Sequence, residues 1–398
     1  MSAADIVRAT MPHALPPRAL VSPAGAAARE LANASAERFD RITTMAARLL
    51  QVDGAAIDLH DGERVWPALE LPAHPSSTLA LLGPADDLVV VPDALLDERF
   101  ADAPTLPGGR IRSYAAAALR GPGGGPAGTL SVAGLAPRVF TAADLQTLRD
   151  LARWAEEELQ LASELARSAQ VQRSMLPASL VSFPGWEVAG HCSPVRAVAG
   201  DFYDWYPVRG GAAITLADVM GKGMPAALIA ANVRAVMRST SPSNGVAAAV
   251  ESAAETLETD LDGAGVFVTL FHAHLHEQTG VLRYIDAGHG LSLVLHEDGT
   301  TERLAPTGLP LGAGWENSWD ERTVRLLPGD ALVSVSDGVL DAFDGSLASL
   351  QEIERIARSC STASAIVEAV AAAVAGIAPD DVSVVALKRT DVPRLRRA

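Results

Sequence analysis

VAGDFYDWYPVRGGAAITLADVMGKGMPAAL, residues 198–228, reads as two strands around a glycine pair, followed by the start of a helix. FYDWYPV (202–208) and AAITLADV (212–219) flank Gly210-Gly211 in the pattern of a β-hairpin. A two-residue turn at the glycines would pair Arg209 with Ala212, so paired positions would sum to about 421. Asp201 would then lie opposite Met220, within about two residues of Asp218. Two aspartates 17 apart in sequence thereby meet at one end of one hairpin. The glycines of Gly221-Lys222-Gly223 permit a tight turn into a helix opened by Pro225.

Two more aspartates have similar settings. Asp337 ends the strand ALVSVS (331–336), and Asp380 immediately precedes the last strand, VSVVALK (382–388). Hard oxygen ligands clustered without His or Cys suit magnesium or manganese. Two such ions about 3.5–4 Å apart can bridge a water, lower its pKa and clamp both oxygens of a phosphoryl hydrolysis. Any one of these aspartates alone reads as an ordinary turn former. Their joint placement, with the motifs below, points to a metal centre.

Further strands are expected at VFVTLFHAHL (266–275) and LSLVLH (291–296), with helices at 225–238, 246–260 and 362–377. This mixture predicts a β-sandwich with helices outside it. Upstream, residues 1–35 are rich in Ala and Pro and read as a disordered tail. A helical pattern follows from Phe39 to Leu50. Short strands come next at AAIDL (55–59), DLVVV (87–91), YAAAAL (114–119) and GTLSVAG (128–134). Thr141 is the expected N-cap of a long helix reaching Leu176, with Asp144 three residues on. Its a/d series, Leu145, Leu148, Ala152, Ala155, Leu159, Ala162, Ala166 and Ala169, fits either a dimerising linker or a helix packed on its own domain.

The composition bounds the function. With 32 basic and 48 acidic residues in 398, the net charge of −16 argues against nucleic acid or an anionic membrane as the main partner. Cys192 and Cys360 are the only cysteines, so no disulfide framework is expected. The N-terminus lacks the apolar core of a secretory signal, and no apolar run reaches the roughly 18 residues of a membrane span. A soluble, cytoplasmic protein is expected.

At the aspartates the sequence resembles the PPM metal-dependent serine/threonine phosphatases, in the bacterial branch typified by RsbU and SpoIIE. The motifs run in order over roughly residues 170–390. They are QRSMLP (172–177), VAGDFYD (198–204), DVMGKGMPAAL (218–228), Ala287-Gly288-His289, TGLPLG (307–312), Ser336-Asp337-Gly338 and Asp380-Asp381. The resemblance implies an α+β fold, a PPM sandwich flanked by helices over 178–390. It also implies two Mn2+ or Mg2+ ions held by Asp201, Asp218, the backbone carbonyl of Val219, Asp337 and Asp380, with Asp381 the less favoured neighbour. Attack would come from metal-activated water with no phosphoenzyme. Arg196 stands where some members carry a phosphate-binding arginine, and it also reads as a solvated loop residue. Two departures are Ala199 in place of the first glycine of the GGD block, and Gly-Leu-Ser after His289 where Asn-Pro is usual.

Residues 36–163 resemble GAF domains, through VVVPDALLDERFADAPTLPGGRIRSYAAAAL (89–119), GTLSVAG and PRVFTAADLQTLRDLA (137–152). This implies an antiparallel sheet flanked by helices, serving as sensor or dimerisation module, with a helical linker over 141–177. The family resemblance implies a phosphorylated protein substrate, of which an anti-anti-sigma (STAS-type) regulator is one candidate, and a homodimer through GAF and linker. A non-catalytic phosphatase-like scaffold and a nucleotide phosphohydrolase are the competing readings.

Other signals are weaker. Gly221-Lys222-Gly223 fails as a P-loop, because Leu216 stands where the first glycine should and no Ser or Thr follows the lysine. His272, His274 and His276 alternate on one strand face, better suited to a polar or helix-covered face than to a metal. His289 reads as a structural histidine in a corner before a proton donor.

Overall fold

The computed structural model describes residues 37–59, 65–68, 87–100, 105–106, 109–121, 124–177, 184–314 and 318–390. The tail expected at 1–35 lies outside them. The chain divides into two compact units between Leu159 and Gln160.

In the first unit, helix α1 (37–49) precedes β1 (Gly54–Leu59), β2 (Val65–Ala68), β3 (Leu88–Val91), β4 (Thr105–Leu106), β5 (Gly109–Arg110), β6 (Ser113–Arg120) and β7 (Pro126–Gly134). Five strands form an antiparallel sheet in the order β2-β1-β7-β6-β3, and β4 pairs with β5. Alternation along β6 sorts the side chains to two faces. Ala115, Ala117 and Leu119 meet Phe39 and Ile42 of α1 together with Leu148 and Ala152 of helix α2 (Ala142–Met175). Tyr114 and Ala116 join Val89, Val91 and Phe100 on the other face.

Helix α2 starts as the sequence predicts. The Asp144 N–H donates to Thr141 Oγ1 at 3.1 Å, and the Thr141 N–H donates back to Asp144 Oδ2 at 2.9 Å, a reciprocal cap. The heptad series does not form one free seam. Leu148, Ala152 and Ala155 are buried in the first unit's core, with Leu145 and Leu159 partly so. Ala169 packs instead with Val198 and Ala227 of the second unit. The first half of the seam is thus consumed within its own chain and cannot serve a coiled coil.

The second unit is a sandwich. Its strands are β8 (Trp186–Ser193), β9 (Phe202–Val208), β10 (Gly211–Val219), β11 (Val268–His276), β12 (Val281–Ala287), β13 (Ser292–Leu295), β14 (Thr301–Leu304), β15 (Arg322–Arg325), β16 (Ala331–Val335) and β17 (Val382–Arg389). They form two antiparallel sheets, β15-β12-β11-β10-β9 and β14-β13-β16-β17-β8. Its helices are α3 (Met224–Thr240), α4 (Val246–Ala264), α5 (Asp337–Asp341), α6 (Leu350–Arg358) and α7 (Ala363–Val374). Strand period 2 builds three cores. Ile214 and Leu216 of β10 point into the sandwich with Val188, Leu332 and Val385. Ala217 and Val219 of the same strand point outward, against Ala230 and Val233 of α3 and Leu257 of α4. On the second sheet Val333 and Val335 meet Val339, Ile353 and Ile366 of the opposite helical layer. The result is a helix–sheet–sheet–helix stack. The small side chains of α3 and α4 let those helices lie close to the sheet.

The hairpin turn differs from the sequence expectation. Val208 pairs with Gly211, so positions sum to 419 and the turn is Arg209-Gly210. Gly210 takes the left-handed backbone the turn needs, with φ of 81°, while Gly211 opens β10. A shift of two keeps every side chain on its expected face. It also brings Asp201, just beyond the last paired residues Ala217 and Phe202, directly opposite Asp218.

Candidate metal centre

Asp201 closes the loop between β8 and β9 and is only 2% exposed. Its Oδ2 is buried and has no hydrogen-bond partner among the described residues. Burial, then repulsion from Asp218, holds its carboxyl well above the usual carboxylate range. Burial raises Asp218 too, with Asp337, Asp380 and Asp381 adding repulsion. Asp337, the first residue of α5, is raised by burial and then by Asp380. These carboxylates therefore face one another across the ends of β10, β16 and β17.

Close backbone approach sets this geometry. A Cβ placed on Gly338 would lie 2.1 Å from the carbonyl oxygen of Asp381, so only glycine lets the start of α5 lie against the Asp380-Asp381 turn. Ser336 ties the same turn, its hydroxyl donating to the Asp381 carbonyl at 3.1 Å and accepting the Ser383 N–H at 2.8 Å.

The two carboxylates of the Asp380-Asp381 pair do different things. Asp381 accepts the N–H groups of Val195 and Gly200, each at 2.7 Å, so it fastens the loop that ends in Asp201. Asp380 accepts the Asp381 N–H at 2.8 Å and pairs with Lys222 Nζ at 2.7 Å. Sequence reading set Gly221-Lys222-Gly223 aside as a turn and missed this lysine, whose signal is a cation three residues after Val219. Among the described residues no three His, Cys, Asp or Glu side chains converge closely enough to hold an ion as they stand.

Ala199 is fully buried, so its extra methyl is absorbed by packing. Its backbone is gripped from both sides of the peptide: Gln172 Nε2 donates to the Ala199 carbonyl at 2.6 Å, and the Ala199 N–H donates to Gln172 Oε1 at 2.9 Å. Arg196 is exposed, lies against Gly223, and enters no ion pair among the described residues. A Cβ added at Gly223 would sit 3.6 Å from its Nη1.

His289, His272 and His274 are each held by hydrogen bonds within the fold. His289 is buried, bonds Ser334 Oγ through Nε2 at 3.1 Å, and is pushed down to about 4 by burial. Its N–H, with that of Gly290, donates to Asp286, a buried carboxylate that sequence reading missed and that shapes the corner after β12. His272 and His274 both meet Ser241 Oγ, at 3.0 and 2.7 Å, beneath the segment between α3 and α4. Cys192 and Cys360 are free thiols.

Comparison with known proteins agrees with this architecture. Residues 209–390 match the family described as Stage II sporulation protein E (SpoIIE), and residues 36–171 match the GAF domain. The chain is 28% identical over 207 residues to Protein IcfG of Synechocystis sp., covering 45% of this chain and 33% of that protein. It is 28% identical over 199 residues to phosphoserine phosphatase RsbU of Bacillus subtilis, covering 49% of this chain and 57% of that protein. It therefore spans between a third and a little over half of the length of these relatives. The SiaA-PP2C domain of Pseudomonas aeruginosa superposes with a TM-score of 0.50 at 20% identity, over 58% of this chain and 97% of that one, a likeness of fold. The second unit thus has the PP2C fold. Residues 209–390 are thus similar to a SpoIIE/RsbU-type phosphatase domain, and residues 36–171 to a GAF domain. No described helix is long and apolar enough to cross a membrane.

Proposed function

We propose that the chain is a metal-dependent protein serine/threonine phosphatase whose ions are held by Asp201, Asp218, the Val219 carbonyl, Asp337 and Asp380. The orphaned, buried Asp201 Oδ2 opposite a second raised carboxylate carries the reading. Burying several like charges with one partly exposed lysine as counter-charge is costly unless cations complete the site. An all-oxygen donor set suits Mg2+ or Mn2+, and such ions, when bound, would lower the pKa of a water and offset charge on the phosphoryl oxygens.

The chain's own residues do the rest. Asp381 and Gln172 fix the loop that presents Asp201, and Gly338 lets Asp337 approach Asp380. Arg196, with no carboxylate partner, is free to fork onto a phosphate at the mouth of the Gly221–Gly223 turn. The domain division follows the sequence reading: a GAF-like module over 36–163, a helical linker over 141–177 and the catalytic domain over 178–390. A phosphorylated regulator of the anti-anti-sigma (STAS) type is the proposed substrate, since the similar RsbU is named a phosphoserine phosphatase. Control by the GAF module and dimerisation complete the proposal.

The test is hydrolysis of p-nitrophenyl phosphate and of a phosphoserine protein with Mn2+, Mg2+ or EDTA. Turnover that needs the ion and drops at least 100-fold in Asp201→Asn and Asp337→Asn is expected. No turnover with any divalent ion would leave a scaffold instead.

A further inference from the structure

The hairpin that carries Asp201 and Asp218 at one end has its turn at the other, about 26 Å away at the rise of a strand. Beside that turn lies a cavity of about 450 Å³. Arg209 from the turn, His274 and His276 from the end of β11, and Arg283 from β12 line it, with the Pro242–Val246 segment closing one side. No carboxylate is among the lining residues. In a chain of net charge −16 this is a local reversal of sign.

The basic groups are available. Arg209 is exposed and enters no ion pair among the described residues. Arg283 has one loose partner, Glu321 at 3.6 Å, and stays 64% exposed. His274 is held by Ser241 Oγ, which also bonds the buried His272, itself tied to Thr215 at 2.8 Å. This buried chain fixes the ring at the cavity wall. His276 accepts the Thr279 N–H at Nδ1, which places its own proton on Nε2 as a donor. Helix α4 adds to the field. Its N-cap is Gly245, no side chain caps it, and its first turn holds no acid. Burial, then Arg283, pushes His274 down to about 4, as expected beside a positive neighbour.

We propose that this cavity is a second ligand site, separate from the carboxylate centre, that binds the phosphate group of a small organic phosphate of about nucleotide size. Two arginines and ring N–H donors match phosphate oxygens. The volume exceeds what a bare phosphate needs and falls within the roughly 300–1,000 Å³ of small-molecule pockets. Pro242 and Val281 supply apolar wall for the organic body.

The test is calorimetric titration of the full chain in EDTA, where the carboxylate centre holds no ion and turnover plays no part. AMP, inorganic phosphate and adenosine serve as probes. Saturable AMP binding is expected, with inorganic phosphate at least tenfold weaker and adenosine not binding. Arg209→Ala with Arg283→Ala should weaken AMP at least tenfold; both side chains are exposed, so the fold should survive. Ala248→Glu, on the exposed face of the first turn of α4, should weaken AMP several-fold while leaving the melting temperature unchanged or higher, because an acid there favours the helix. Absent AMP binding, binding that neither variant changes, or equal binding of AMP and either simpler probe overturns the proposal.

Discussion

Gln172, near the end of α2, and Ala199, two residues before Asp201, exchange two hydrogen bonds of 2.6 and 2.9 Å across 27 residues of sequence. A primary amide carries its donor and its acceptor on separate atoms, so it can donate to a backbone carbonyl while accepting from the same residue's N–H. The position of α2 is thereby tied to the loop presenting Asp201. Gln172→Ala should lower Mn2+-dependent turnover about 5- to 50-fold, while two lost hydrogen bonds cost about 1–3 kcal/mol of stability. Gln172→Glu tests it more sharply, since a carboxylate would oppose the Ala199 carbonyl. Unchanged kcat in both variants, measured on folded protein, would show that the clasp does not position the loop.

Lys222 and Asp380 form the second pair to test. At 2.7 Å the ammonium occupies one oxygen of a carboxylate proposed as a ligand, so a divalent ion has to compete with it. Lys222→Gln removes the competitor and leaves the cluster more negative. The Mn2+ concentration for half-maximal activity should fall several-fold in this variant. A rise instead would mean that Lys222 orders Asp380 for the ion, or meets the substrate, and does not block the site.

Much of this was legible in the sequence. The hairpin, the sandwich and the meeting of Asp201 with Asp218 follow from alternation around Gly210 and from motif order. The turn was misplaced by one residue, which moves the pairing register by two, because both Gly210 and Gly211 fit a turn, and only contact of Gly211 with β11 decides between them: a Cβ there would lie 1.8 Å from the Leu275 carbonyl oxygen. The separate duties of Asp380 and Asp381 were not legible, since adjacent aspartates differ only in where a strand end aims them. Asp286 and the Gln172 clasp were missed for a related reason. Both act through backbone groups, which leave no pattern in a sequence. The heptad series on α2 shows the converse. Period 3.5 reports an apolar stripe but not what covers it, and here the domain's own sheet covers its first half.

The carboxylate cluster makes a prediction about metal-free protein. Asp201, Asp218, Asp337 and Asp381 are held above the usual range, each by burial first. A folded pKa above the unfolded one means the folded state binds more protons between the two values. The associated stability is present at low pH and lost as pH rises through the folded pKa. In EDTA, Asp201→Asn should therefore be more stable than wild type near pH 7, and the gain should fade by about pH 4. With Mn2+ the order should reverse. Thermal melts at both pH values, with and without the ion, read this directly, and a variant that is less stable in EDTA at pH 7 contradicts it.

His289 gives the opposite slope. Burial pushes it down to about 4, and its neutral ring bonds Ser334 in the corner shaped by Asp286. Here the unfolded state binds the proton first, between the ordinary histidine value near 6.5 and the folded value. Stability from this group is full above about pH 6.5 and lost as pH falls toward 4. Other groups titrate in the same window, so the clean measurement is a difference. Wild type should exceed His289→Gln by about 1–3 kcal/mol near pH 7.5, from lost packing and the weakened hydrogen bond to Ser334. That advantage should shrink steadily below pH 6.5, because only the wild type carries the titrating ring. The ring protons of His289, followed by NMR, should not shift between pH 7.5 and 5.5. A titration midpoint near 6.5 would mean the corner opens to water, and would return His289 to consideration as a proton donor.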